Sequence, residues 1–263
     1  MHRVIDEILA STRQRVGRIN AAGVAVDVGT DADVPTPIEH RDIIRLIQSR
    51  KRENRIPVIA EVKPGSPTTD NRNITPDIAS MLARQMEAAG AVANSVLTEP
   101  AFFFGSLKNL SAVRDSVGIP VLRKDFIIDE KQIYETKSDL ILLIAGILGD
   151  NLGRFVDLSI ARGLEPLVEV HNETELTDAI NTKTRIIGIN NRDLNTLTID
   201  LSTTERLAPL IPDDLIIISE SGIGDAVDAV RVIDAGADAI LVGTAIMDAP
   251  FERTKSLVDA FAL

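Results

Sequence analysis

The chain contains no cysteine and no tryptophan, a single tyrosine, and aromatic residues at only 3% of its 263 positions. Without cysteine, disulfides, thiolate nucleophiles and cysteine-ligated metals are all excluded. Basic charge is also scarce: 28 Lys and Arg stand against 39 Asp and Glu, a formal net charge of −11. That balance argues against nucleic-acid partners, which need a basic footprint to displace counterions from phosphate. An acidic surface serves solubility instead, and an anionic ligand would have to be held by a local basic pocket. No apolar run approaches the roughly 20 residues needed to cross a bilayer. The opening stretch "MHRVIDEILASTRQRV" alternates charged with apolar residues and lacks the core of a signal peptide. A cytoplasmic location with no membrane partner is expected. His2, His40 and His171 show no metal-ligand spacing, and solvated or capping roles are expected for them.

What is present is a regular alternation. Short runs rich in β-branched residues recur at 56–62, 92–97, 120–124, 140–144, 166–170, 185–190, 215–219 and 239–243. Between them lie segments with helical spacing, such as "IASMLARQMEAAG" and "AVDAVRVIDAGA", each with a glycine where a helix would stop. Most of the runs are apolar at successive positions, as strands are when both faces of a parallel sheet are covered by helices. Eight such units predict a single (β/α)8 TIM barrel, and 263 residues suit one barrel domain. Residues 1–55 precede the first strand as a helical extension, with amphipathic stretches at "VIDEILASTRQRV" and "IEHRDIIRLIQSRK" around a Gly/Asp/Pro-rich loop. These helices are expected to cap the barrel or to form part of its mouth.

Barrel active sites lie at the C-terminal ends of the strands, so the residues that close each strand form a functional list by position. That list holds Glu61, Lys63, Ser66 and Pro67 after strand one, Thr98 and Glu99 after strand two, and Lys124 and Asp125 after strand three. Glu169, Asn190, Arg192, Glu220, Ser221, Gly222, Gly243 and Thr244 close later strands. Polar residues at strand ends can simply be reaching water. Glu61, Lys63 and Glu169, however, occupy alternate positions that should point into the barrel. Glycines after strands seven and eight, in "SESGI" and "LVGTAI", each followed by a helix start, predict a phosphate site built from backbone N–H groups.

The segments "IAEVKPGSP" (59–67), "SVLTEPAFFFGS" (95–106), "LRKDFIIDEKQI" (122–133), "PLVEVHNETEL" (166–176), "IGINNRDLNTL" (187–197), "SESGI" (219–223) and "LVGTAIM" (241–247) resemble the indole-3-glycerol phosphate synthase family, in order and over nearly the whole chain. The resemblance implies ring closure of 1-(2-carboxyphenylamino)-1-deoxyribulose 5-phosphate to indole-3-glycerol phosphate, with loss of carbon dioxide and water, in tryptophan biosynthesis. It implies no metal and no cofactor. It places Lys124 as general acid, with Glu61, Glu169 and Lys63 sharing the second acid and the base, and Asn190 and Arg192 orienting the substrate. Ser66 resembles a carboxylate contact. Ser221, Gly222, Gly243 and Thr244 match phosphate loops, and Pro67, Phe103, Phe126 and Leu194 would wall a slot for the aromatic ring. Arg123, on the opposite face of its strand from Lys124, reads as structural.

Three positions depart from the family pattern: Pro64-Gly65 replaces a further basic residue, the stretch before strand four is short enough to clip its preceding helix, and Asn94 stands where an aliphatic residue is expected. The expected partner is a small phosphorylated molecule, and the expected assembly a monomer or weak homo-oligomer. Two alternatives stay open on the residues alone. One is another phosphate-binding barrel: an isomerase, whose usual cysteine is missing here, or an aldolase forming a Schiff base at Lys124. The other is a barrel that binds a phosphorylated metabolite without turning it over.

Overall fold

The computed structural model describes residues 2–19, 41–67 and 71–262. Eight parallel strands close on themselves in sequence order: β1 (Val58–Val62), β2 (Ala93–Leu97), β3 (Val121–Lys124), β4 (Leu140–Ile144), β5 (Glu165–Val170), β6 (Ile186–Asn190), β7 (Ile216–Glu220) and β8 (Ala239–Val242). Helices follow the strands and cover the outside, so the (β/α)8 expectation holds. The helix between β3 and β4 is only Glu130–Tyr134, five residues, as its short segment foretold.

Alternation along each strand sorts the side chains. Ile59, Leu122, Leu140, Leu142, Leu167, Ile186, Ile218 and Leu241 point inward and pack together as the barrel interior. Their neighbours Val58, Ala60, Val62, Val96 and Val121 point outward against the helices. Asn94 belongs to this outer face: it is fully buried, and its amide reaches the Ala60 carbonyl at 3.4 Å and Met86 Sδ at 3.5 Å.

The two N-terminal helices take opposite ends of the barrel. Helix α2 (Ile43–Arg52) buries Ile43 and Ile47 into the apolar interior layer, at roughly 1.5–3 kcal/mol of apolar transfer per side chain. Arg41, just before it, donates to the carbonyls of Ile119 and Arg114 at 3.0 and 3.2 Å, tying the plug to the loop that feeds β3. Helix α1 (Arg3–Gly17) lies over the other end, with Ile5, Ile8 and Leu9 buried against Phe103, Phe126 and Leu194. It is pinned twice. The His2 backbone N–H donates to the Leu194 carbonyl at 3.0 Å, and Arg15 makes two 3.0 Å bonds to the Asp125 carboxylate. His2 also caps the helix by accepting from the Val4 N–H, as expected of it. The linking loop at 21–37 and His40 lie outside the described residues.

Candidate active site

A cavity of about 480 Å³ opens at the C-terminal ends of the strands under α1. Every residue given a catalytic or binding role by the resemblance lines it: Glu61, Lys63, Ser66, Pro67, Phe103, Lys124, Phe126, Glu169, Asn190, Arg192, Leu194, Ser221, Gly222, Gly243 and Thr244. Of the other strand-end residues Glu99, Asp125 and Glu220 line it too, and Thr98 does not, its hydroxyl being bonded to Asp125 and Arg123. Residues spread over nearly two hundred positions therefore meet at one rim. The cause is the inward alternation: two residues beyond Leu122, Leu167, Ile186 and Ile218 in each case, an apolar layer gives way to Lys124, Glu169, Gly188 and Glu220.

Lys124 is the centre of the charge cluster. Its Nζ lies 2.9 Å from Glu220 Oε2 and 3.3 Å from Glu169 Oε2, drawing together β3, β5 and β7. Burial works against the ammonium, but Glu220, Glu169 and Glu61 together outweigh it and lift its pKa well above the usual lysine range. Lys124 is thus a firmly held cation whose remaining face is open to the cavity.

The two carboxylates beside it are pushed in opposite directions. Burial alone would raise Glu169, yet Lys124, His171 and the Asn190 amide hold it far below the usual carboxylate range. Glu220 is pushed up to about 7, by burial first and by the Glu169 and Glu61 charges, against the pull of Lys124. One carboxylate is therefore fixed in the ionised form while the other titrates near neutrality, a separation typical of sites that move protons. The position of Glu220 at a strand end marks it in the sequence without giving it a role. The signal that could have found it is its register partner Asn190, with Gly188 two residues earlier on β6. A Cβ at Gly188 would collide with the Glu220 carboxylate, and one at Gly243 with that of Glu61, so each glycine leaves room for an acid from a neighbouring strand.

Glu61 and Lys63 form a second pair at 3.7 Å on β1 and its exit. Phe103 and Phe126 stack at a 6.1 Å centroid distance and 37° tilt, forming an apolar wall with Leu194 and with Val4, Ile5 and Ile8 of α1. The contribution of α1 was only one of two options in the sequence; its apolar stripe marks burial but not the wall it would meet. Arg192 donates to the Leu197 carbonyl at 3.0 Å, and Asn190 accepts from the Arg192 N–H, which fixes the loop that carries both.

Two expectations need correction. The helix predicted to begin at the β8 glycine begins instead at Pro250, and the intervening chain turns through an Ile246 N–H to Gly243 carbonyl bond. After β7, the helix Ala226–Asp234 already has its first N–H groups capped by the Asp225 carboxylate. Loop backbone, and not a helix start, therefore directly follows Gly222 and Gly243, with Ser221 and Gly222 at φ of +66° and +84°. The second correction concerns His171, which is not solvated: its side chain is 7% exposed and sits between Glu169 and Glu175. Both outcomes depend on loop paths that neither alternation nor helical spacing encodes.

Among the described residues no group of three His, Asp or Glu is arranged to hold a metal ion, and no helix is long and apolar enough to cross a membrane.

A family model described as indole-3-glycerol phosphate synthase matches residues 5–257, which include every strand. The chain is 47% identical over 232 residues to the indole-3-glycerol phosphate synthase of Halobacterium salinarum, an overlap covering 87% of this chain and 92% of that relative. It is 39% identical over 260 residues to the enzyme of the same name from Methanocaldococcus jannaschii, with 96% and 97% covered. Among solved structures it is similar to the N-acetylmannosamine-6-phosphate 2-epimerase of Clostridium perfringens, at a TM-score of 0.61 and 14% identity over 86% of this chain and 97% of that one. That likeness speaks for the barrel alone.

Proposed function

The chain belongs to the indole-3-glycerol phosphate synthase family, and on that premise we propose which of its side chains perform each step. The reaction closes 1-(2-carboxyphenylamino)-1-deoxyribulose 5-phosphate to indole-3-glycerol phosphate, releasing carbon dioxide and water. The aromatic ring lies in the slot of Phe103, Phe126, Pro67 and Leu194, with α1 as its roof. The phosphate is taken by the loop backbones at Ser221, Gly222, Gly243 and Thr244. Ser66 and Arg192 hold the carboxylate, Arg192 offering a planar fork suited to it.

In that pose the keto group faces Lys124. As the ring carbon bearing the carboxylate attacks the ketone, charge develops on the carbonyl oxygen and Lys124 donates its proton there. Loss of carbon dioxide returns the electron pair to the ring. The new hydroxyl then leaves as water, protonated by Lys63, which Glu61 positions. Glu169, ionised at neutral pH, removes the last proton from the carbon next to nitrogen, and Asn190 orients the hydroxyl groups. The observation that carries this reading is the Lys124 ammonium, held from behind by Glu169 and Glu220 at the mouth of the cavity. Incubating purified protein with the carboxyphenylamino-ribulose phosphate, without added metal, is expected to give a rise in indole fluorescence. No turnover under those conditions would overturn the reading.

A pH experiment probes the same cluster. Because Glu220 is pushed up to about 7, kcat/KM of the free enzyme is expected to carry an ionisation near neutrality that is missing in Glu220→Gln. Its persistence in that variant would assign it elsewhere. The sign for stability follows from linkage: a carboxyl raised above its ordinary 4.5 contributes fully below that value, and the contribution fades as pH rises through about 7.

A further inference from the structure

His171 directly follows β5, and its ring stands behind Glu169, outside the cavity wall. Its backbone N–H donates to Glu175 Oε2 at 2.9 Å, and its ring Nδ1 lies 2.9 Å from the same oxygen. Glu175, in the first turn of the helix Glu173–Ile180, is itself immobilised. Asn172 donates its side-chain amide to Glu175 Oε1 at 2.8 Å and accepts the Glu175 backbone N–H at 3.0 Å. Gly146 approaches so closely that a Cβ there would lie 2.6 Å from Glu175 Oε1. A carboxylate oxygen has only lone pairs to offer, so Nδ1 carries a proton. On its other side Nε2 lies 3.3 Å from Glu169 Oε1, an ionic contact without hydrogen-bond alignment. A bare Nε2 lone pair would be repelled there, so this nitrogen carries a proton as well.

We propose that His171 is a positioning residue for the reaction: bracketed by Glu175 and Glu169, its doubly protonated ring holds the Glu169 carboxylate turned toward Lys124. The inference rests on the base role assigned to Glu169 above. A fixed cation behind a catalytic carboxylate has two effects. It fixes the direction of the oxygen that must meet a carbon-bound proton, and it keeps that oxygen free of a proton of its own. The groups facing the pair from neighbouring elements are Lys124 of β3, Asn190 of β6, Glu220 of β7 and Asp193 in the loop after β6. Burial alone would lower the imidazole, but its contacts with Glu169 and Glu175 lift it to about 10. Raised above its ordinary 6.5, it contributes stability that is complete below that value and is lost as pH rises through about 10.

Imidazole NMR of the wild-type protein tests the first half without reference to turnover. His171 is expected to stay doubly protonated to pH 9, and a His171 ring that loses a proton below that pH overturns the proposal. In Glu175→Gln, which keeps the loop's polar contacts, the His171 titration is expected to move into the measured range. The kinetic half uses His171→Asn. Its kcat is expected to fall about 10- to 100-fold with KM within about twofold, and the acidic limb of its kcat profile to move upward as Glu169 loses its cation. The alkaline decline in Tm should also flatten. A merely structural histidine would lower Tm and leave the acidic limb in place, and that result also overturns the proposal. Should His171→Asn fail to fold, the wild-type and Glu175→Gln spectra still decide. Glu169→Gln separates the two readings: undiminished turnover there removes the base role while leaving the spectroscopic result standing.

Discussion

Lys124→Met is expected to lower kcat by about 10⁴-fold or more, beyond the usual range for losing a general acid alone, because the proton donor and the positive field at the carbonyl oxygen vanish together. Affinity for indole-3-glycerol phosphate, measured by titration, should change little, since the phosphate loops and the ring slot lie on other elements. The fold should tolerate the change as well. Removing the ammonium leaves Glu169 with His171 and Asn190, and leaves Glu220, already at about 7, free to take up a proton. Lys124→Arg separates charge from proton donation: guanidinium keeps the cation but does not give up a proton in this range, so it should be nearly as inactive. Near-wild-type turnover in Lys124→Met would remove the central assignment.

The neighbouring residue should behave in the opposite way. Arg123 is fully buried on the outer face of β3, where it donates to the Gln132 carbonyl at 2.7 Å, Thr136 Oγ1 at 2.6 Å and Thr98 Oγ1 at 3.2 Å. It also pairs with Asp125 and Glu135, each at 2.9 Å. Arg123→Met removes five hydrogen-bond donations at a stroke and strands buried acceptors. The expected cost is about 3–5 kcal/mol, about 10 °C in Tm. Arg15 retains its grip on Asp125 and Glu135 can turn to water, which places the cost toward the lower end. Calorimetry checks this: a Tm within about 2 °C of wild type would mean that the network contributes specificity and little stability. At a temperature where the variant is folded, its kcat should remain within about tenfold of wild type, because Arg123 does not itself line the cavity and Asp125, the lining residue it pairs with, keeps Arg15.

The contrast between Arg123 and Lys124 shows how much of the site was legible beforehand. Alternation along a strand is local, so adjacent residues face opposite ways wherever the strand lies. That alone separates a helix-facing arginine from a barrel-facing lysine. The same period carried Glu61, Glu169 and Asn190 to the interior, and the order of motifs along the chain carried the family. The path of loops was less accessible. The delayed helix at Pro250 and the Asp225 cap after β7 put loop backbone, where helix starts were expected, beside the two glycines.

Composition, the eightfold alternation and the facing of each strand residue are written in the linear chain, because each follows from neighbours one to four positions apart. Protonation is not. That Glu169 is held ionised while Glu220 titrates near 7, that His171 is a buried cation, and that Arg15 reaches across 110 positions to Asp125 were decided only when the barrel closed. Desolvation and Coulomb interaction depend on distances in space, and strands that are remote in sequence acquire those distances only through closure and register.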